Sequence, residues 1–195
     1  MTSPVTEAYR ALRATLTLPS GSSPRRIAVT AAEAGAPTPE TVAELCRSLA
    51  LAGGRVVALD CDLRDPALHV AFGLNNETGL TDLLRDGSPP PLRPVSTGAG
   101  ELHLLAAGPV GDDASELIAS DRFARLLDDL LEKADYLVMS APAVAVSTDA
   151  LLVAGRADAV LLVIQAGRSG REAGQRAVSL LKQVNAPLVG AVLAH

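Results

Sequence analysis

The sequence predicts an α/β domain: a mostly parallel sheet of about seven strands with helices on both faces. Short β-branched apolar runs alternate with longer helical stretches along the whole chain. Hydrophobic residues make up 48% and charged residues 20%, a globular composition able to bury a sizeable core. At 195 residues, with no internal repeat and no linker long enough to divide it, the chain reads as a single domain.

The elements follow in order. Ser3 is placed to cap a first helix that runs through Glu7, Arg10 and Arg13 to about Leu16. The turn-rich stretch Pro19–Pro24 sets this helix off as an N-terminal arm outside the sheet. Arg26–Ala31 is the first buried strand. Thr38 and Pro39 read as the cap and first position of a helix that ends at Gly53 and Gly54, and Arg55–Asp60 is the second strand. Short helical pieces near Pro66–Phe72 and Leu80–Arg85 precede a proline-rich surface loop, Pro89–Pro94, and a third strand, Leu102–Ala106. From Ser120, as cap, to Lys133 the chain is amphipathic, with Phe123, Leu126, Leu127, Leu130 and Leu131 on one face. Strand Tyr136–Ser140, a helix from Thr148, strand Ala159–Gln165, a helix from Ser169 to about Val184 and strand Leu188–Leu193 complete the pattern.

Composition removes several function classes. Aromatics are only 2% (Tyr9, Phe72, Phe123, Tyr136), too few for a base-stacking platform. A net charge of −5 argues against nucleic-acid binding, although the first thirty residues carry four arginines against one glutamate. Cys46 and Cys61 give no disulfide framework and suit a reducing compartment. Met1–Ser20 places Glu7, Arg10 and Arg13 where a signal peptide needs apolar residues. The longest aliphatic run, Ala159–Ile164, is far short of the roughly 18 residues that span a bilayer. The expectation is a soluble cytoplasmic protein with no direct membrane insertion.

A strand, a glycine-containing loop and a helix near the N-terminus is where a P-loop sits in such a sheet. Around that point stand Ser3–Arg13 (SPVTEAYRALR) ahead of the first strand and Val56–Pro66 (VVALDCDLRDP) after the second. Leu68-His69, Phe72-Gly-Leu74, Gly79-Leu80, Asp82, Leu104–Pro109, Ser115–Ser120, Arg122-Phe123 and Ala166-Gly-Arg168 continue in order. Through these residues nearly the whole chain resembles the cytoplasmic domain of bacterial tyrosine kinases (BY-kinases). These are deviant, MinD/ParA-like P-loop ATPases that control capsule and exopolysaccharide synthesis. The resemblance implies a P-loop NTPase-like fold.

The phosphate-binding chemistry departs from the family's pattern. Such a loop needs glycines so that backbone N–H groups wrap the phosphates, a lysine for the β/γ charge and a Ser/Thr hydroxyl for Mg²⁺. The family's loop reads roughly G-P-G-E-G-K-S-T; here the stretch is Glu33-Ala-Gly-Ala-Pro-Thr-Pro-Glu40. Gly35 remains, the lysine position falls on Thr38 and the hydroxyl position on Pro39, and no lysine occurs before Lys133. Two prolines remove donors, and each lost charge-assisted phosphate contact costs about 1.5–3 kcal/mol. The family's Walker-B aspartate position falls on Ser140 in Met139-Ser-Ala-Pro-Ala143.

Asp60 and Asp62 match the family's metal-organising and catalytic carboxylates; without a phosphate cradle they read as vestigial, free to cap the following turn or to pair with Arg64. The family's C-terminal tyrosine cluster does not fall within these 195 residues, whose tyrosines are Tyr9 and Tyr136, expected as packing residues. Glu7, Arg10 and Arg13 reproduce the family's E-x-x-R-x-x-R ring motif: their spacing sets three charges along one helical side, either an oligomer interface or a solvated face with a local Glu7–Arg10 pair. Cys61, His69 and Asp62 lack metal-ligand spacing, so no metal is expected. Gly167–Arg171 is either an anion site at a helix N-terminus or a turn and cap.

The leading expectation is therefore a catalytically inactive pseudo-kinase, a scaffold or regulatory subunit in exopolysaccharide or capsule synthesis and export, with no cofactor. Its expected partners are copies of itself, an active kinase homologue, or the cytoplasmic tail of a membrane polysaccharide chain-length regulator, which would recruit it to the inner face of the membrane. The alternative is an ATP- and Mg²⁺-dependent protein-tyrosine kinase with Arg64 or Arg168 in place of the lysine. In a third option, Glu33 and Glu40 beside Asp60 and Asp62 favour a cation or basic peptide over phosphate.

Overall fold

A computed structural model describes residues 4–17 and 24–194. The Ser3 cap, most of the Pro19–Pro24 connector and His195 lie outside the described residues. The elements are α1 (Pro4–Thr17), β1 (Arg26–Ala31), α2 (Thr38–Leu51), β2 (Arg55–Asp60), α3 (Leu68–Ala71), α4 (Leu80–Asp86), β3 (Arg93–Pro94) and β4 (Glu101–Leu105). They continue with α5 (Ala114–Ala119), α6 (Asp121–Lys133), β5 (Tyr136–Ser140), α7 (Asp149–Ala154), β6 (Ala159–Gln165), α8 (Arg171–Gln183) and β7 (Leu188–Ala194). The seven strands form one sheet in the order β3-β4-β2-β5-β1-β6-β7, all parallel except the β3–β4 pair.

Strand residues alternate between two cores, as the two-residue period of a strand requires. Ile27, Val29, Ala31, Val56, Ala58, Val138 and Leu161 face the layer of α1, α2 and α3, meeting Leu16, Val42, Leu45, Leu49 and Leu68. Ala28, Val57, Leu59, Leu137, Met139, Val160 and Leu162 face the other helices, meeting Leu83, Ile118, Phe123, Leu127 and Leu181. Helix α6 forms as its pattern predicts. Ser120 Oγ accepts the Phe123 N–H at 3.2 Å, a cap worth about 1 kcal/mol, and Phe123, Leu126, Leu127 and Leu130 are buried, with Leu131 half-buried.

Two expectations change, and one short helix was not anticipated. The Pro89–Pro94 loop carries a short antiparallel strand: Arg93 pairs with Leu104, Pro94 with His103, and the Val95 N–H reaches Leu102 O at 2.8 Å. Proline is tolerated there because the strand is at the sheet edge. Helix α5 is a six-residue piece, too short for its periodicity to register. Thr38 is the first helical residue, not the cap; Pro37 precedes it, and the Thr38 N–H closes on Ala36 O at 2.7 Å. Helix α1 lies outside the sheet, as expected of the N-terminal arm, and is docked on α2. Its Tyr9, Leu12 and Leu16 pack into the α2 layer, Arg13 Nη1 donates to Ser48 O at 2.8 Å, and Ser48 Oγ donates back to Tyr9 O at 3.3 Å.

Candidate functional site

A cleft of about 430 Å³ opens at the C-terminal ends of β1, β2 and β5, the edge where open parallel sheets bind ligands. Its walls are the β1–α2 loop from Glu33 to Pro37, the first turn of α2, the β2–α3 turn and the loop after β5. It brings together Gly35, Thr38, Pro39, Asp60, Asp62 and Ser140.

The α2 N-terminus offers little to a phosphate. Of its first four positions, Thr38 donates to Ala36 O, Pro39 has no N–H, and Thr41 donates to Pro37 O at 3.0 Å, with Thr41 Oγ1 on the same oxygen at 2.7 Å. The Glu40 N–H is left, beneath a carboxylate side chain. Gly35 has φ +80°, and its surface is covered by Arg168, whose guanidinium lies 3.3–3.6 Å from where a Cβ on Gly35 would stand. Arg168 is exposed and has no acidic partner among the described residues.

Asp60 is fully buried at the end of β2. Its Oδ1 accepts the Asp62 N–H at 3.2 Å and its Oδ2 the Leu68 N–H at 2.9 Å, so it organises the β2–α3 turn. Burial pushes its carboxyl up to about 7, against the lowering effect of those two N–H donors. Asp62 Oδ1 accepts the N–H groups of Arg64 (3.3 Å) and Asp65 (3.0 Å), and burial raises its carboxyl too. Of the roles open to the two aspartates, capping the turn is the one the geometry gives.

Arg64 pairs with neither. Its Nε donates to Asp149 Oδ2 at 3.0 Å and its Nη2 to Ser115 Oγ at 2.9 Å. Asp149, 2% exposed at the start of α7, also accepts from the Ser115 hydroxyl, and its N–H donates to Ser147 Oγ at 3.1 Å. Burial pushes the Asp149 carboxyl up, but hydrogen bonds from Ser115, Arg64 and Ser147 together outweigh it and hold it below the ordinary value. This Arg64–Asp149–Ser115 cluster was missed in the sequence: the three positions are separated by 51 and 34 residues, and only the fold unites them.

Ser140 sits level with Asp60 on the neighbouring strand, and its carbonyl accepts the Cys61 N–H at 2.8 Å. The cleft wall carries five carboxylates (Glu33, Glu40, Asp60, Asp62, Asp65) against one arginine, Arg64.

The other candidates lie elsewhere. On α1, Arg10 Nη1 is 3.4 Å from Glu7 Oε2, both exposed, while Arg13 is engaged on α2. Tyr9 is half-buried against α2 and Tyr136 packs beside Gly54, as packing residues do. Cys46 and Cys61 are buried, which raises both thiols, and among the described residues no three His, Cys, Asp or Glu side chains converge on a metal position. Gly167–Arg171 closes as a turn, with Ser169 bonded to Gln165 through both N–H and hydroxyl. No helix among the described residues is long and apolar enough to cross a membrane.

No protein-family model matches the chain. The tyrosine-protein kinase YwqD of Bacillus subtilis is 28% identical over 188 residues, covering 96% of this chain and 79% of that protein. The crystal structure of the chimerical protein CapA2B2 is 30% identical, covers 99% of this chain and 85% of that one, and superposes with a TM-score of 0.93. The kinase domain of the Escherichia coli tyrosine kinase ETK superposes at 0.88 with 25% identity over 97% of this chain and 74% of that one. With the P-loop-like sheet, the aspartates ending β2 and the collinear motifs from α1 to Arg168, these similarities place the chain in the bacterial tyrosine kinase family.

Proposed function

We propose that the chain is a catalytically inactive member of this family, a scaffold or regulatory subunit in exopolysaccharide or capsule synthesis and export. The observation that carries this is the α2 N-terminus. Thr38 stands at the lysine position, Pro37 and Pro39 lack N–H groups, and the Thr38 and Thr41 N–H groups are spent inside the loop. Ser140 in place of a Walker-B aspartate also removes the carboxylate that in the family orders Mg²⁺ through water. Its partners in this reading are copies of itself, an active kinase homologue, or the cytoplasmic tail of a membrane chain-length regulator, which would hold it at the inner membrane face. Calorimetric titration with ATP and ADP, each with Mg²⁺, tests it: no heat of binding at millimolar nucleotide is the expected result, and micromolar binding overturns it.

A second reading rests on Arg168. An unpaired guanidinium over Gly35 stands near the place where a nucleotide's phosphates lie in a P-loop, and a tyrosine kinase with a rebuilt phosphate site would use it. Arg64 is a poor substitute because Asp149 and Ser115 already hold it.

A further inference from the structure

We propose that β7 is the joining edge of a two-fold pair, in which two copies of this chain add their β7 strands antiparallel and form one continuous sheet. The inference goes beyond the pseudo-kinase reading and does not depend on what the cleft takes.

The two edges of the sheet are unlike. At one, β3 is two residues long and consists of Arg93 and Pro94, a charge and a proline that blunt it. At the other, β7 is seven residues long and pairs only with β6. From Gln183 to Ala194 no residue is charged, and the one proline, Pro187, precedes the strand. Edge strands usually carry charge or proline because their unpaired N–H and C=O groups recruit other strands. Among the described residues no other element hydrogen-bonds to the outer side of β7. Seven large apolar side chains stand exposed among those residues, and three belong to this edge and the α1 flank beside it: Val5 (57%), Val189 (52%) and Leu193 (62%).

The geometry fits a second copy. The register irregularity of β7 lies at its start, between Leu188 and Gly190, and leaves Gly190–Ala194 regular. Ala194 O accepts the Ala166 N–H at 2.7 Å. By alternation Val192 also turns its backbone groups to β6, while Ala191 and Leu193 turn theirs outward. A two-fold axis at Val192 sets Ala191 opposite Leu193 of the second copy, and these two exchange N–H···O bonds. Ala191 and Leu193 pair with Leu162 and Ile164, whose side chains lie in the core on the α8 face, so each large Leu193 covers a small Ala191 there. On the other face Val192 meets its own copy beside a groove of about 740 Å³, lined by Val5, Ala8 and Leu12 of α1 and by Ala191–Ala194. An uncharged strand spares identical surfaces the repulsion of like charges set opposite one another. The contact uses β7 once in each copy, and the blunted β3 edge offers no second joint, so association stops at two.

Light scattering of the full chain at tens of micromolar tests the proposal; twice the monomer mass is expected. Leu193→Lys should raise the dissociation constant about tenfold or more while leaving the urea midpoint of the dilute protein unchanged. Val110→Lys, at an exposed valine elsewhere, should leave the constant within about twofold. Val192→Cys reports the register: across the axis the two Cα atoms stand about 4.5 Å apart, within reach of a disulfide. Mild oxidation should therefore link the copies covalently, and Cys46 and Cys61, both buried, take no part. A monomer at that concentration, an equal effect of Val110→Lys, or no covalent dimer of Val192→Cys overturns the proposal. A pair that survives Leu193→Lys but not Arg10→Ala overturns it in favour of α1 as the interface. Nucleotide binding in the calorimetric titration bears on the pseudo-kinase reading alone.

Discussion

Arg64 Nε lies 3.0 Å from Asp149 Oδ2 and ties the β2–α3 turn to the start of α7 across the cleft. The pair is asymmetric: the Asp149 side chain is 3% exposed and that of Arg64 50%. Removing the arginine strands a buried carboxylate that keeps only its hydroxyl donors.

Arg64→Ala should therefore lower stability by about 2 kcal/mol, and Asp149→Ala by a comparable amount through the lost Arg64 pair and the Ser115 hydroxyl left without its acceptor. Urea denaturation at pH 7 measures both. The double variant should cost clearly less than the two losses added together. The depressed Asp149 carboxyl adds stability that is present above its unfolded value and lost as pH falls through its folded one, so the Arg64→Ala penalty should shrink in acid.

Asp60 has the opposite sign. Its folded carboxyl is raised to about 7 from an ordinary value of 3.8, so the folded state holds a proton that the unfolded chain releases. Its contribution is fully present below about pH 4, falls as pH rises towards 7, and is then a constant penalty on the order of 4 kcal/mol. Asp60→Asn should flatten the urea midpoint between pH 4.5 and 8. It should also lower the acid-side stability by about 1–3 kcal/mol, because one of the two N–H groups then faces an amide NH₂. A profile that stays as steep in the variant assigns the slope to other groups.

On α1, Arg13 and Arg10 should separate cleanly. Arg13→Ala loses the bond to Ser48 O and should cost about 1 kcal/mol in the monomer. Arg10→Ala removes only an exposed pair with Glu7 and should leave stability within about 0.5 kcal/mol. If α1 also joins subunits, Arg10→Ala should lower the solution mass measured by light scattering at tens of micromolar without moving the denaturation midpoint. Equal masses for wild type and variant make Arg10 a solvated residue.

Gly35→Ala forces a side chain into left-handed backbone under the Arg168 guanidinium. A cost of about 1–2 kcal/mol is expected, read as a shift in thermal midpoint. In an Arg168→Ala background the steric part should disappear and the backbone part remain.

The sheet and its order of elements were legible because buried parallel strands write themselves as uninterrupted apolar runs, and Arg26–Ala31, Arg55–Asp60 and Tyr136–Ser140 are such runs. Strand β3 was not, since a two-residue strand ending in proline has no periodicity and is formed only by its neighbour β4. The cleft residues Gly35, Thr38, Asp60 and Ser140 were found through motif positions, whereas Asp149 was invisible because nothing near it in sequence marks a carboxylate as buried. The spacing of Glu7, Arg10 and Arg13 was read correctly as a helical side, but helical geometry alone could not say that α2 supplies a carbonyl at Ser48 to take the last of the three.

The placement of β5 between β2 and β1 has a consequence for how the molecule comes into being. β1 pairs only with β5 and β6, so the strand made first has no strand partner until residues beyond 135 exist. During synthesis the early half can join β2 to β4 but must leave β1, the loop after it and the future cleft waiting for distant chain. Closing such long loops is slow. A fragment stopped before Tyr136 should expose β1 and bind chaperone, and the cleft should be among the last parts of the domain to take shape.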